Sequence, residues 1–252
     1  MCQPRLRPRS TRRHDGTVTS CLAAVPAERM HLVLMLVLTF TTGVVDAVGY
    51  LGLDRVFTGN MTGNVVILGM AVVGAEDLPV LGPVLALVGF MAGAALGGRV
   101  LKRAAGKWTG LTTTLFLSVG LVCLGLAGVL FAVGDHPDPA VGLPVTTLLG
   151  AAMGLQAATA RFVAVKDVTT VVVTSTITGL AADSRLGSGK SRTDGGGSGR
   201  RFLAVVLILA GAAVGAALLK IHVGAGLMLA AVLILAATLV GSTHGRLHIS
   251  QP

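Results

Sequence analysis

Charge is what this sequence has least of. Asp, Glu, Lys and Arg make up 12% of its 252 residues, roughly half the share of a soluble domain. That leaves too little polar surface to cover a water-soluble particle, and the mean hydropathy of +0.81 agrees. Aromatic residues are also scarce, at 4%. None interleaves with the basic residues, so nothing here makes a nucleic-acid surface despite the net charge of +9. The three cysteines, Cys2, Cys21 and Cys123, have no metal or redox spacing. Cys123 lies in an apolar run, as a small packing residue does. His244 and His248 are four residues apart but have no third ligand near them in sequence. No metal and no cofactor are expected. No Ser/His/Asp, Cys/His or paired-acid arrangement stands out, so an enzyme is not expected either.

Glycine and long apolar runs fill the space instead. A membrane span needs about 20 mostly apolar residues. Six runs qualify: Leu32–Leu53, Leu78–Gly98, Leu111–Val133, Leu143–Val165, Phe202–Leu219 and Val223–Val240. The 35 glycines fit packed spans, where close backbone approach replaces the hydrophobic drive that lipid removes. Residues 1–30 form a basic tail rich in Arg, Pro, Ser and Thr, with Met30 as an alternative start just before the first span. Residues 184–200 are a glycine-rich linker. Gly189-Lys190-Ser191 copies the end of a phosphate loop, but Ser184 stands where that motif's first glycine belongs. Residues 243–252 read as a C-terminal tail. The membrane domain is therefore 31–182 with 201–242.

Two further segments are short. Phe57–Gly74 and Val168–Asp183 each begin polar and end apolar. Charge decides how they count, because positive residues mark cytoplasmic loops. If both cross, Arg99, Lys102, Arg103 and Lys107 lie outside. If neither crosses, those residues and Arg185–Arg201 lie inside, and Asp135–Asp138 lies outside. Only Lys220 then dissents. The expectation is an all-α membrane protein with about six transmembrane helices and two short re-entrant or broken helices. Both termini are cytoplasmic, and the setting is a bacterial inner membrane. Each half, about 32–133 and 143–240, runs span, short segment, span, span. Three crossings per half make this a 3+3 inverted repeat, as in many secondary transporters.

Certain residues resemble a known family: Gly43-Val44-Val45-Asp46-Ala47, Phe57-Thr58-Gly59-Asn60-Met61-Thr62-Gly63-Asn64 and Gly154 through Arg161. With Val168-Thr169-Thr170 and Thr178 through Asp183, they are similar to the YoaK-like family of bacterial membrane proteins. The resemblance runs from Met30 to the C-terminus. It implies a multi-pass membrane protein and supplies no catalytic or substrate-binding residues.

Asp46 is the sharpest site residue, since an ionisable group inside a span is costly and usually faces the bundle interior. It reads as a proton or cation site, or as a structural carboxylate joining helices. Asn60, Thr62 and Asn64, with Thr174 and Thr176 in the second half, replace a solute's hydration shell or cap their own short helices. Gln156 joins them on the fourth span, while Arg161 near its end snorkels. The expectation is that Asp46, Asn60, Thr62, Asn64, Gln156, Thr174 and Thr176 line one cavity near the midplane. The function that fits is a secondary transporter or channel for a small solute or proton. The competing class is a non-transporting scaffold, assembly or sensory protein. The bilayer is the one definite partner, and a homo-oligomer is left open. Topology is directly testable: a cysteine placed at 135–138 is labelled by an impermeant thiol reagent from outside, and one at 102–107 is not. The reverse labelling rejects both the count and the inverted repeat.

Overall fold

An apolar segment in lipid must satisfy its backbone polar groups internally, which favours helix wherever the chain crosses. The computed structural model describes residues 25–75, 77–102, 108–163, 173–182 and 197–249, and among them there are eight helices and no strand. They are α1 (Ala27–Gly52), α2 (Met61–Val72), α3 (Leu81–Leu101), α4 (Gly110–Val133), α5 (Pro139–Val163), α6 (Val173–Ala182), α7 (Gly197–Leu219) and α8 (Val223–Ile249). Six of them are long and apolar enough to cross a membrane. The 12 residues of α2 rise only about 18 Å at 1.5 Å each, too little for a core about 30 Å thick. The 10 residues of α6 fall shorter still.

Threonine enters these apolar helices by bonding back to its own turn. Thr39 donates to the Met35 carbonyl at 2.9 Å, Thr159 to Leu155 at 2.7 Å and Thr238 to Ile234 at 2.7 Å. Local polar residues mark the helix starts. Thr109 and Thr112 form a reciprocal capping box on α4. Pro139 opens α5, where its missing N–H costs nothing, and Asp138 accepts from Ala140 N at 2.9 Å.

Two ends of the bundle can be distinguished. At one, the rings of His31, Trp108 and Phe116 stack in sequence, and His244 bonds the Val25 carbonyl at 2.9 Å. At the other, Asp135 accepts from Val223 N at 3.0 Å and lies 3.6 Å from His222. The start of α1 and the end of α8 therefore share the Trp108 end, and the α4–α5 and α7–α8 turns share the Asp135 end. Several helix limits differ from the sequence reading. The helix α8 continues past Val240 to Ile249, because His244 anchors the extra turns. The helix α7 opens at Gly197, inside the stretch read as linker, and 184–196 lie outside the described residues. Of the N-terminal tail, only residues from 25 onward are described.

Helix partners are few and paired. α1 packs on α7, α3 on α5, and α4 on α8; α1 also meets α8 and α5, and α4 meets α5. α2 lies on α3 and α6 on α7. Exchanging α1–α4 for α5–α8 returns the same set of partners. The glycines carry this correspondence to single residues. Gly43 lies against the Ile208 carbonyl, and Gly154 against the Phe90 carbonyl. Gly211 lies against the Phe40 carbonyl, and Gly93 against the Ala151 carbonyl. Gly215 meets Val44 and Ala47, and Gly97 meets Leu155 and Ala158. One shift carries α1 onto α5 (Gly43 to Gly154 and Ala47 to Ala158, 111 residues), and another carries α3 onto α7 (Gly93 to Gly211 and Gly97 to Gly215, 118 residues).

A side chain at these crossings would collide with a neighbouring peptide, which cannot rotate away. Gly93→Val or Gly154→Val therefore destabilises the folded protein by about 1–3 kcal/mol or more, the usual cost of overpacking. Gly98→Val serves as the control, since its Cβ position meets open space. Thermal unfolding in detergent separates them: equal midpoints for Gly93→Val and Gly98→Val refute the close-approach account.

Candidate functional site around Asp46 and Gly59

The chain reverses sharply after α1. Asp54 and Arg55 both take left-handed backbone angles, φ 60° and 57°. Asp tolerates this region and Arg does not, so the turn is strained. Three sets of contacts hold it. Val56 N donates to the Gly49 carbonyl at 3.3 Å. Asn64 pairs with the Phe57 peptide, accepting from its N–H at 2.8 Å and donating to its carbonyl. Asp46 Oδ1 accepts from Thr58 N at 3.0 Å, Gly59 N at 2.7 Å and Asn60 N at 3.3 Å. Asn60 then caps α2 by accepting from Gly63 N at 3.3 Å.

Asp46 lies six positions before the end of α1, about 9 Å along the helix axis. Its bonds thus fix the N-terminus of α2 well below the end of α1. A carboxylate at a helix N-terminus is favourable, because unpaired N–H groups and the helix dipole both point at it. Asp46, Asn60 and Asn64 fasten the broken segment, which is the structural one of the two sequence readings.

Gly59 sits where the elements converge. A Cβ built on it would lie 2.8 Å from the Thr42 methyl, 3.4 Å from Asp46 Oδ1 and 3.4 Å from the Met153 methyl. Thr42 also accepts from Gln156 Nε2 at 3.4 Å. Asp46, Asn60, Asn64 and Gln156 are therefore brought into one neighbourhood. Thr62 is exposed on α2 and takes no part in these bonds. Thr174 and Thr176 lie elsewhere. Thr176 is buried and Thr174 exposed, on a helix that packs on α7 alone among the described elements. The helices α2 and α6 do not meet. The Gly59 neighbourhood is at the α1–α5 contact, whereas α6 lies toward the Trp108 end, where Gly179 touches Arg201. The first residues of the second short segment, 168–172, fall outside the described residues.

Thr42, Thr58 and Met153 complete the neighbourhood and were not singled out from sequence. Thr58 lies inside the Phe57–Asn64 motif, which is signal enough. Nothing in the sequence sets Thr42 or Met153 apart from other span residues. Two buried side-chain oxygens here have no partner: Thr58 Oγ1 and Gln156 Oε1. Arg161 is exposed near the end of α5, as an anchoring residue would be. His244 is buried against the N-terminal end of α1, and no group of three His, Cys, Asp or Glu residues gathers among the described residues.

Six long apolar helices and two short ones define a multi-pass transmembrane protein. Residues 34–240 match the family described as "Protein of unknown function (DUF1275)", and the chain belongs to that family. It is 32% identical over 154 residues to UPF0700 transmembrane protein YoaK of Bacillus subtilis (strain 168), a match covering 60% of this chain and 65% of that one. No solved structure matches the chain.

Asn64→Ala leaves both polar groups of the Phe57 peptide unpaired, at about 1–3 kcal/mol each when buried. Asp46→Ala does the same to three N–H groups. Thr62→Ala changes stability little. Unfolding midpoints in detergent check the order, and a Thr62→Ala loss equal to that of Asn64→Ala contradicts it.

Proposed function

We propose that this protein is a secondary transporter or channel for a small solute, built as an inverted repeat of α1–α4 and α5–α8. The observation that carries the reading is the position of Gly59. Its bare face touches Thr42 and Met153, and the 111-residue shift that relates α1 to α5 also relates these two residues (Thr42 to Met153). Two equivalent residues meet only beside the axis that relates the halves. With three crossings in each half, that axis lies in the membrane plane, so the Gly59 neighbourhood is near the midplane. A broken helix at the midplane, between repeats, is where such transporters bind their substrates. Non-helical backbone is tolerated at that depth only when protein or a water-filled cavity encloses it.

In this reading the Trp108 end faces the cytoplasm of a bacterial inner membrane. Arg29, Arg99, Lys102, Arg161, Arg200, Arg201 and Arg246 lie toward it, and Arg55 and Lys220 toward the other end, a bias of the kind the positive-inside rule describes. The protein is a carrier and not an enzyme, and it needs no cofactor. Alternating access follows if one half rocks against the other at the smooth glycine faces of α1–α7 and α3–α5.

Reconstituted proteoliposomes test this. A screen of small polar solutes, with and without proton and sodium gradients, yields gradient-dependent uptake of at least one class. Gly59→Val, which places methyl groups against Thr42 and Asp46, reduces that uptake by roughly tenfold or more, as a misplaced group at a binding centre does. Uptake unaffected by Gly59→Val removes this neighbourhood from the pathway.

A further inference from the structure

We propose that the neighbourhood of Gly59 binds a small, dehydrated monovalent cation of the sodium class. The ligands are Gln156 Oε1, Thr58 Oγ1 and the second carboxylate oxygen of Asp46. This deepens the transporter reading by naming its coupling ion, and it rests on that reading for the coupling but not for the binding.

The two unpartnered oxygens point to a ligand. Thr58 is 0% exposed and Gln156 1%, and a buried polar atom without a partner is costly enough that native structures rarely keep one. The orientation of the Gln156 amide is fixed by chemistry. Thr42 spends its single hydroxyl proton on the Leu38 carbonyl at 2.9 Å. It can therefore only accept from Gln156, so the NH₂ group faces Thr42 and the carbonyl oxygen is the orphan. That end of the amide demands a proton donor or a cation.

Charge selects the cation. All three backbone bonds to Asp46 fall on Oδ1. The N-terminus of α2 supplies the equivalent of about half a positive charge, which leaves a carboxylate's full charge only partly offset. An anion is therefore repelled. The donor set is all oxygen, which suits a hard ion, and it holds a single carboxylate, which suits one charge better than two. Asp46 is also the member that keeps partial exposure, so an arriving ion meets the charge first and the buried oxygens next. The two duties of Asp46 do not conflict: Oδ1 positions the broken segment, and the other oxygen remains for the ion.

Equilibrium binding of radioactive sodium to the purified full-length protein in detergent tests the site. Wild type binds saturably, lithium competes and choline does not. Thr58→Val keeps the side chain's shape and removes the ligand oxygen. It weakens sodium binding by roughly tenfold or more, the effect of losing one charge-assisted contact. Its unfolding midpoint in sodium-free buffer is unchanged or raised, because an unpaired buried hydroxyl has gone. Gln156→Glu retains an oxygen and adds charge, so it tightens binding. Absence of saturable sodium or lithium binding by folded wild type overturns the proposal, as does binding indifferent to Thr58→Val, which would leave only water at the two oxygens. Sodium binding without uptake of any solute in proteoliposomes supports the ion site and counts against the transporter. Uptake without sodium or lithium binding does the reverse.

Discussion

Close approach of peptide backbones at the glycine crossings is the constraint on which the rest of this structure depends. Lipid tails are as apolar as leucine, so burying apolar side chains between spans gains little, and helices associate through fine packing. Gly43 and Gly211 bring α1 and α7 to backbone contact, and Gly93 and Gly154 do the same for α3 and α5. The third pair is joined differently. Gly120 of α4 receives Leu235, and Gly241 of α8 receives the Trp108 ring. Everything else is placed by these pairs. The short helix α2 rests on α3 and α6 on α7, so each broken segment is carried by a span of a different pair.

The spans were legible because about 20 apolar residues in a row have few alternatives to crossing a membrane. The short segments were legible because 12 and 10 residues of mixed polarity cannot cross. Helix limits were less so. Apolar runs mark where lipid ends, and α8 continues past that point on a single buried histidine and its bond to Val25. The glycine register was less legible still: of Gly89, Gly93 and Gly97 on α3, it is Gly93 that makes the contacts of Gly211 and Gly97 those of Gly215. What decides the match is the carbonyl on the facing helix, and a glycine's own sequence neighbours say nothing about that carbonyl.

The site was half legible for a related reason. Asp46 and Gln156 stood out because polar groups in spans are expensive, and Asn60 and Asn64 because amides cluster where a helix breaks. Their partners did not stand out, because those partners are mostly backbone. Asp46 bonds three peptide N–H groups and Asn64 bonds both the N–H and the carbonyl of Phe57, and backbone groups carry no sequence signature. The expected union of both polar segments assumed that an inverted repeat brings its two short segments together. The structure gives Asn64 and Thr176 corresponding places, each buried three residues after the start of its short helix, on helices that do not touch.

The differences between the halves matter as much as their likeness. The shift that carries Gly43 to Gly154 carries Asp46 to Ala157, Val45 to Gln156 and Thr42 to Met153. Thus the acid has no counterpart, and the amide and the hydroxyl have apolar ones. A symmetric pair of carboxylates flanking the axis would repel each other in a medium of low dielectric. In the proposed reading a single carboxylate, offset by one helix end, serves a single bound charge. The set of helix partners survives the exchange of halves, and the residues around Gly59 do not. The proposed function draws on the positions at which the two halves differ.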